Sequence, residues 1–504
     1  MKAVLRGGAL QNALDFAAYL KANGMTFTGV HCEVNYLGKC VCYLDIHGGS
    51  WSIWSEGEYG KDGDILSERM KEIAWANVSR CVNCGNKCSP GNHKTIFGKE
   101  FTHVCNAVMM FRNPDAEALA CIKKLIEIRK LAIEKEPMMN PDIQKIFKLA
   151  DDSTLRYKPE KLFWSWGQAL YLYSLARVGD ELGTEKYTEY LRRFYDHHIK
   201  KGYRLCSSDT SAPALGALYL ALKTGEQRYC EVVKAAKRYF GTAKRVLGDM
   251  PNHLGSGVEG WFYPKSVWVD SIMMYGVFTN WLASVSRDEK YSSIRCEAAQ
   301  DDEALRDFAA RQPANFAKYL QDGETGLFYH SYWAKAKTHY PREPIFWGRG
   351  NGWVMAAVPL LLDYLPEEQR PHVKDFFTRL AAALLPYQRA DGYFETVFNR
   401  PGETYKESSA TMLIAAGWFY GYRTGLLDES YFEAAKKAFH AVTEDLRTKN
   451  GLLSMPYISG DTMPMPGIPY FNYKHTPLGN DRHFGLAAAF FAAVEYLRCE
   501  EADA

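Results

Sequence analysis

The stretch Phe346-Trp347-Gly348-Arg349-Gly350-Asn351-Gly352-Trp353 decides how this chain is read. It runs straight into Val354-Met355-Ala356-Ala357-Val358, an apolar segment of helical character. Glycine costs roughly 1 kcal/mol against alanine in a helix interior, so three of them in seven residues mark a turn shaped for a ligand. Aromatic faces suit sugar rings, and a held guanidinium suits a carboxylate through paired hydrogen bonds. The run points to a site for an acidic sugar, with Trp347, Arg349 and Trp353 against it. The plainer alternative is a glycine turn between two core tryptophans and a surface arginine.

On either side the chain alternates between two kinds of segment. Charge-rich amphipathic runs at 117–132, 184–200, 227–240, 303–319, 367–387 and 429–446 interleave with apolar runs that open near Ser165, Asp209, Asp270, Asn351, Ser408 and Asn480. A helix apolar on most faces must be enclosed, whereas one with a single apolar stripe covers it from outside. Six of each in alternation predict an (α/α)6 toroid over residues 111–504, closed by packing the first outer helix on the last inner one. All inner helices would then start at the same end. Their unpaired N–H groups and polar first residues place a binding cleft there.

Two acidic residues stand at such starts. Asp270 lies in Trp268-Val269-Asp270-Ser271 and Asp209 in Ser207-Ser208-Asp209-Thr210. Either reads as a simple helix cap, but the apolar neighbours of Asp270 favour a protonated carboxyl. Two carboxyl groups at one mouth are the minimum equipment of many glycosidases. His330, in Phe328-Tyr329-His330-Ser331-Tyr332, Lys265, in Tyr263-Pro264-Lys265, and Trp268 are candidates for binding substrate. The alternatives for the first two are a hydrogen-bonded structural histidine and a solvated cation. Glu407 precedes Ser408-Ser409 and reads also as a cap.

Residues 1–110 differ. Helices at 10–20 and 65–76 and strands at 26–32, 40–46 and 50–55 predict a small α+β domain. It carries Cys81-Val82-Asn83-Cys84-Gly85-Asn86-Lys87-Cys88, with Cys105 further on. That spacing suits a closed tetrahedral Zn²⁺ site of Cys81, Cys84, Cys88 and Cys105, with His93 or His103 as substitutes. Its alternative is four buried thiols.

Lys+Arg number 61 and Asp+Glu 59, which leaves no global field for nucleic acid or a membrane surface. An anionic ligand must be met by local cations. No run of about 18 apolar residues is present. Residues 1–20 lack the pattern of a secretory signal, so a cytoplasmic protein with thiol or metal-bound cysteines is expected. The absence of a phosphate-binding loop, a dinucleotide fingerprint and a His-Glu-x-x-His segment predicts chemistry without a catalytic cofactor.

Together, Trp347-Gly348-Arg349-Gly350-Asn351-Gly352-Trp353, Trp268-Val269-Asp270, Tyr329-His330, Asp209 through Pro213 and Glu407 through Thr411 resemble the unsaturated rhamnogalacturonyl hydrolases of glycoside hydrolase family 105. They are similar also to the related unsaturated glucuronyl hydrolases of family 88. The resemblance runs from about residue 115 to the C-terminus and implies pectin degradation. It makes Asp270 the general acid/base and Asp209 the second acidic residue, with His330 and Arg349 lining the pocket. Lys265 stands where family 105 more often has His in a Tyr-Pro-His segment, a departure that bears on which sugar is accepted. The implied substrate is an acidic oligosaccharide ending in a 4,5-unsaturated uronic acid, left by a lyase. The implied reaction is hydration of its enol ether: protonation at C4, water addition at C5, and collapse of the hemiketal. Alternatives are a glucuronyl hydrolase acting on glycosaminoglycan fragments, a sugar epimerase, or a non-catalytic sugar sensor on the same fold.

Overall fold

The computed structural model describes residues 4–28, 32–55, 59, 66–82, 91–135, 139–285 and 302–503. The chain divides into two compact units, Met1–Met138 and Met139–Ala504. Among the described residues no helix is long and apolar enough to cross a membrane.

In the first unit an antiparallel sheet runs in spatial order through Thr26–Thr28, Glu33–Tyr36, Lys39–His47, Ser50–Ser55 and the long strand Lys99–Arg112. Val78–Arg80 and Asn92–Ile96 also pair with that long strand. Period-two side chains such as Trp51 and Ile53 point into a core shared with helix Gly7–Ala22, whose Ala13, Phe16 and Leu20 recur at helical spacing. The helix Ala116–Lys135 was expected to be the toroid's first outer helix. It instead buries Cys121, Ile122, Leu125 and Ile126 in this same core. Its stripe is satisfied by the sheet, so the first unit extends well past residue 110.

Of the four expected zinc ligands, Cys84 and Cys88 lie outside the described residues. Cys105 is a free thiol, and the Cys81 amide donates to the His103 carbonyl at 2.7 Å. His93 is exposed and pairs with Glu100 at 2.9 Å. The expectation that every cysteine is a thiol or a metal ligand fails at Cys230, which is disulfide-bonded.

The second unit is built from two rings of helices. The inner ring is Trp166–Glu181, Ala214–Thr224, Val277–Val285, Gly348–Tyr364, Ser408–Arg423 and His483–Asp503. The outer ring is Pro141–Arg156, Lys186–Lys201, Gln227–Thr242, Glu303–Leu320, Arg370–Leu384 and Glu429–Glu444. Each inner helix packs on the next, and His483–Asp503 returns to Trp166–Glu181 to close the ring. The true first outer helix, Pro141–Arg156, packs on the last inner one. Its start is encoded by Asn140, whose side chain accepts from the Asp142 amide at 2.9 Å, and by Pro141 at the first helical position.

The glycine run is not a turn. Gly348 opens the fourth inner helix, behind Trp347 as its N-cap. A Cβ on Gly350 would lie 2.7 Å from the Trp347 ring and 2.8 Å from Val269, and one on Gly352 would lie 2.8 Å from the Leu413 Cβ. Such distances are excluded for a methyl group, so these glycines let the Asp270 segment and the next inner helix close in.

Candidate active site

A three-stranded antiparallel sheet at the mouth of the ring joins parts of the chain that are distant in sequence. Ser266–Trp268 pairs with Ser331–Trp333, which pairs with Thr338–Tyr340. The register sets Trp268 against Ser331, and the Val269 amide donates to the His330 carbonyl at 2.9 Å. Asp270 and His330 are thereby held at one edge. Just past Asp270 the inner helix starts as one π-helical segment, Ile272–Gly276, a distortion frequent at functional sites.

The Asp270 side chain is 11 % exposed, and its Oδ1 has no hydrogen-bond partner among the described residues. Burial pushes its pKa up to about 7, against backbone N–H groups and the Arg349 guanidinium, which pull it down. A carboxyl poised near neutrality can give a proton and take one back. It does not serve as the side-chain cap expected as its alternative role.

Asp209 is likewise free of capping. Ser207 caps that short helix, accepting from the Thr210 amide at 3.2 Å. The Asp209 side chain is left 30 % exposed. Its pKa is held well above the ordinary range by desolvation, then by the charges of Asp270, Asp461 and Glu259.

Between the two acids stands His253, which the sequence reading missed. Its Nε2 lies 3.6 Å from Asp209 Oδ1 and its Nδ1 lies 4.0 Å from Asp270 Oδ1. The ring stacks on Trp268 at 4.2 Å with an interplanar angle of 8°. Nδ1 bonds to Ser271 Oγ at 2.8 Å, and Ser271 Oγ donates to Ser208 Oγ at 3.2 Å. Burial lowers the His253 pKa to about 3, so the imidazole is neutral and separates two carboxyl groups without acting as a counter-charge. Gly255 fixes this loop: at φ 52°, its Cβ would fall 1.8 Å from the Cys206 carbonyl. The signal was a histidine two residues before a glycine in an otherwise unremarkable loop.

His330 is fully buried. Its ring stacks on Trp347 at 4.1 Å, its Nδ1 bonds to Tyr473 Oη at 2.9 Å, and its Nε2 has no partner among the described residues. Burial first, then His253 and Arg349, keeps it well below the usual imidazole pKa. Asn351 holds this loop by accepting from the Phe328 amide at 2.7 Å and donating to the Phe328 carbonyl at 3.0 Å.

Arg349 departs from the open fork expected of it. It is 1 % exposed, between the Trp347 and Phe484 rings, and its Nη groups donate to Ser459 O at 3.1 Å, Gly460 O at 2.7 Å and Thr462 Oγ1 at 3.2 Å. Its two Nη groups are engaged by the 459–462 loop, with Glu407 Oε1 3.9 Å away, and its Nε has no hydrogen-bond partner among the described residues. Trp353 is fully enclosed in the main core against Trp166, leaving no face for a sugar. Trp268 is buried beneath His253. Lys265 is exposed, its Nζ 3.3 Å from Gly260 O. Glu407 is a cap, accepting from the Ser409 and Ala410 amides and from Ser459 N at 2.9 Å.

A closed double ring of helices with two carboxyl groups of raised pKa at its mouth is the build of a glycoside hydrolase. The model of Glycosyl Hydrolase Family 88 matches residues 142–500, and the chain belongs to that family. It is 25 % identical over 360 residues to the unsaturated rhamnogalacturonyl hydrolase YesR of Bacillus subtilis, covering 70 % of this chain and 96 % of that one. It is 27 % identical over 294 residues to an unsaturated 3S-rhamnoglycuronyl hydrolase of Alteromonas, covering 55 % and 67 %. In fold it is similar to a glycoside hydrolase from family 105 of C. acetobutylicum, with a TM-score of 0.60 at 23 % identity, covering 69 % and 98 %.

Proposed function

We propose that this glycoside hydrolase removes a terminal 4,5-unsaturated uronic acid from lyase-generated oligosaccharides, with unsaturated rhamnogalacturonan fragments as the substrate. The observation that carries the reading is Asp270, a buried carboxyl with a pKa near 7 and an oxygen without a partner among the described residues. In its protonated form it delivers the proton to C4, where the enol ether is nucleophilic. Positive charge then develops at C5 and the ring oxygen. The Asp270 carboxylate next takes a proton from water adding at C5, and the hemiketal opens with loss of the neighbouring sugar. One residue thus acts as acid and then as base.

Asp209, whose pKa its surroundings raise and whose side chain is partly open to the cleft, bonds the sugar hydroxyls. His330 backs the cleft from within, its Nε2 buried and without a partner among the described residues, while Trp347 and Arg349 hold His330 and the 459–462 loop in place. The names borne by the relatives support this choice of substrate. The decisive comparison is turnover of unsaturated disaccharides from rhamnogalacturonan and from glycosaminoglycan. A kcat/KM higher for the glycosaminoglycan product would move the assignment to glucuronyl hydrolysis.

For the N-terminal unit, a structural Zn²⁺ on Cys81, Cys84, Cys88 and Cys105 remains the proposal that their spacing supports. Elemental analysis of protein purified without added metal tests it, and less than half an equivalent of zinc would end it.

A further inference from the structure

Beside the acid pair lies a cavity of about 470 Å³, lined among others by Tyr239, Lys244, Asn252, Gly255, Trp261 and Lys265. Its volume is that of a small-molecule site, and its walls are continuous with the catalytic residues. Asn252 and Gly255 bracket His253, whose Nε2 is 3.6 Å from Asp209 Oδ1. Lys265 precedes Ser266, whose amide donates to Asn252 Oδ1 at 2.9 Å and whose carbonyl accepts from the His253 amide at 2.9 Å. On another wall, burial raises the Tyr239 pKa, and Cys206 and Asp209 add to it. The cavity therefore opens on the Asp209 side of the cleft.

Trp261 is the feature that packing does not explain. It is 73 % exposed, and Phe262 beside it is 84 % exposed. Exposed apolar groups gathered in one patch mark a binding surface. Trp261 stands on the short helix Glu259–Phe262, which is seated firmly on the His253 loop. A Cβ on Gly260 would lie 3.1 Å from Gly255 O and 3.2 Å from Leu254 O, so only glycine lets the helix settle that closely. The next residue, Tyr263, is buried and meets Trp268 and Trp333 edge-on. No ring packs on Trp261 among the described residues. A held backbone thus presents an open indole at the wall of the cavity.

The remaining walls are polar. Lys244 and Lys265 are exposed, and Lys265 Nζ is 3.3 Å from Gly260 O. Glu259 on the same short helix is exposed too, so charges of both signs meet there and the cavity does not select an ion. An aromatic face opposite mixed donors and acceptors fits a pyranose, whose C–H face stacks while its hydroxyls bond. We propose that this cavity is a subsite for a further pyranose of the leaving oligosaccharide, stacked on Trp261, so that the preferred substrates are unsaturated oligosaccharides longer than a disaccharide. The proposal rests on the reading of the cleft as the site of uronate removal, and it makes Trp261 a determinant of substrate length.

The test compares turnover of the unsaturated rhamnogalacturonan tetrasaccharide with that of the disaccharide by the full chain. Binding energy from remote sugars lowers the barrier at the reacting one, so kcat/KM of the wild type should be about tenfold higher for the tetrasaccharide. Trp261→Ala, a change at an exposed position, should keep the disaccharide rate and lose that advantage. Equal kcat/KM for the two lengths in the wild type, or an advantage unchanged in the variant, would overturn the proposal. An equal loss on both substrates would overturn it as well, making Trp261 a support for the acids. If the wild type turns over neither substrate, the functional reading fails, and titration calorimetry with the saturated tetrasaccharide decides the subsite. Binding weakened about tenfold in Trp261→Ala would then uphold it, and unaltered binding would overturn it.

Discussion

His253 Nε2 lies 3.6 Å from Asp209 Oδ1, with the same ring stacked flat on Trp268 and bonded through Nδ1 to Ser271. A neutral imidazole is thus wedged between two carboxyl groups whose charges would otherwise repel, and both carry raised pKa values. His253→Phe keeps the stack but loses both nitrogens. It should lower kcat at least tenfold while the circular dichroism spectrum is retained. Unchanged kcat would reduce His253 to packing.

The catalytic rate should fall as pH rises through about 7, because Asp270 must enter the reaction protonated and its pKa is about 7. A pH profile of kcat on the unsaturated substrate measures this limb. A plateau extending past pH 9 would remove Asp270 from the acid role.

The same raised pKa affects stability. A carboxyl whose folded pKa exceeds its unfolded value favours the fold while protonated, and that contribution is lost as pH rises through the folded value. Asp270→Asn cannot ionise, so its melting temperature relative to the wild type should rise from pH 5 to pH 8. The expected rise is a few degrees, since about 1 kcal/mol shifts a domain of this size by roughly 2–4 °C or less. Scanning calorimetry at the two pH values decides it. A relative melting temperature that falls over that range would contradict the burial argument.

Arg349→Lys should weaken the fold as well as activity. Lysine cannot span Ser459 O, Gly460 O and Thr462 Oγ1 at once, and hydrogen bonds from a charged donor contribute roughly 1.5–3 kcal/mol each. A lower melting temperature, with faster proteolysis within 459–462, is the expected readout. An unchanged melting temperature with weakened uronate binding would restore the direct ligand contact expected from sequence.

The double ring was legible because the contrast between apolar and striped helices is a one-dimensional signal. Asp209 and Asp270 were legible because they stand at helix starts. The role of Gly348, Gly350 and Gly352 was not, since close packing against Val269 and Leu413 depends on residues remote in sequence. The local pattern fits a ligand turn equally well. His253 was hidden for the same reason: only the folded chain brings it between two helix starts. Ala116–Lys135 and Pro141–Arg156 carry similar amphipathic stripes, and only the sheet in the first unit decides which one joins the ring.

The central claim is that Asp270 protonates an enol ether. The most direct measurement follows the ultraviolet absorbance of that double bond during incubation with an unsaturated rhamnogalacturonan disaccharide. The account predicts steady loss of absorbance with the wild type and none above background with Asp270→Asn. It also predicts no release of sugar from the saturated analogue. Cleavage of that analogue at a comparable rate, or more than a few per cent of activity in the variant, would contradict it.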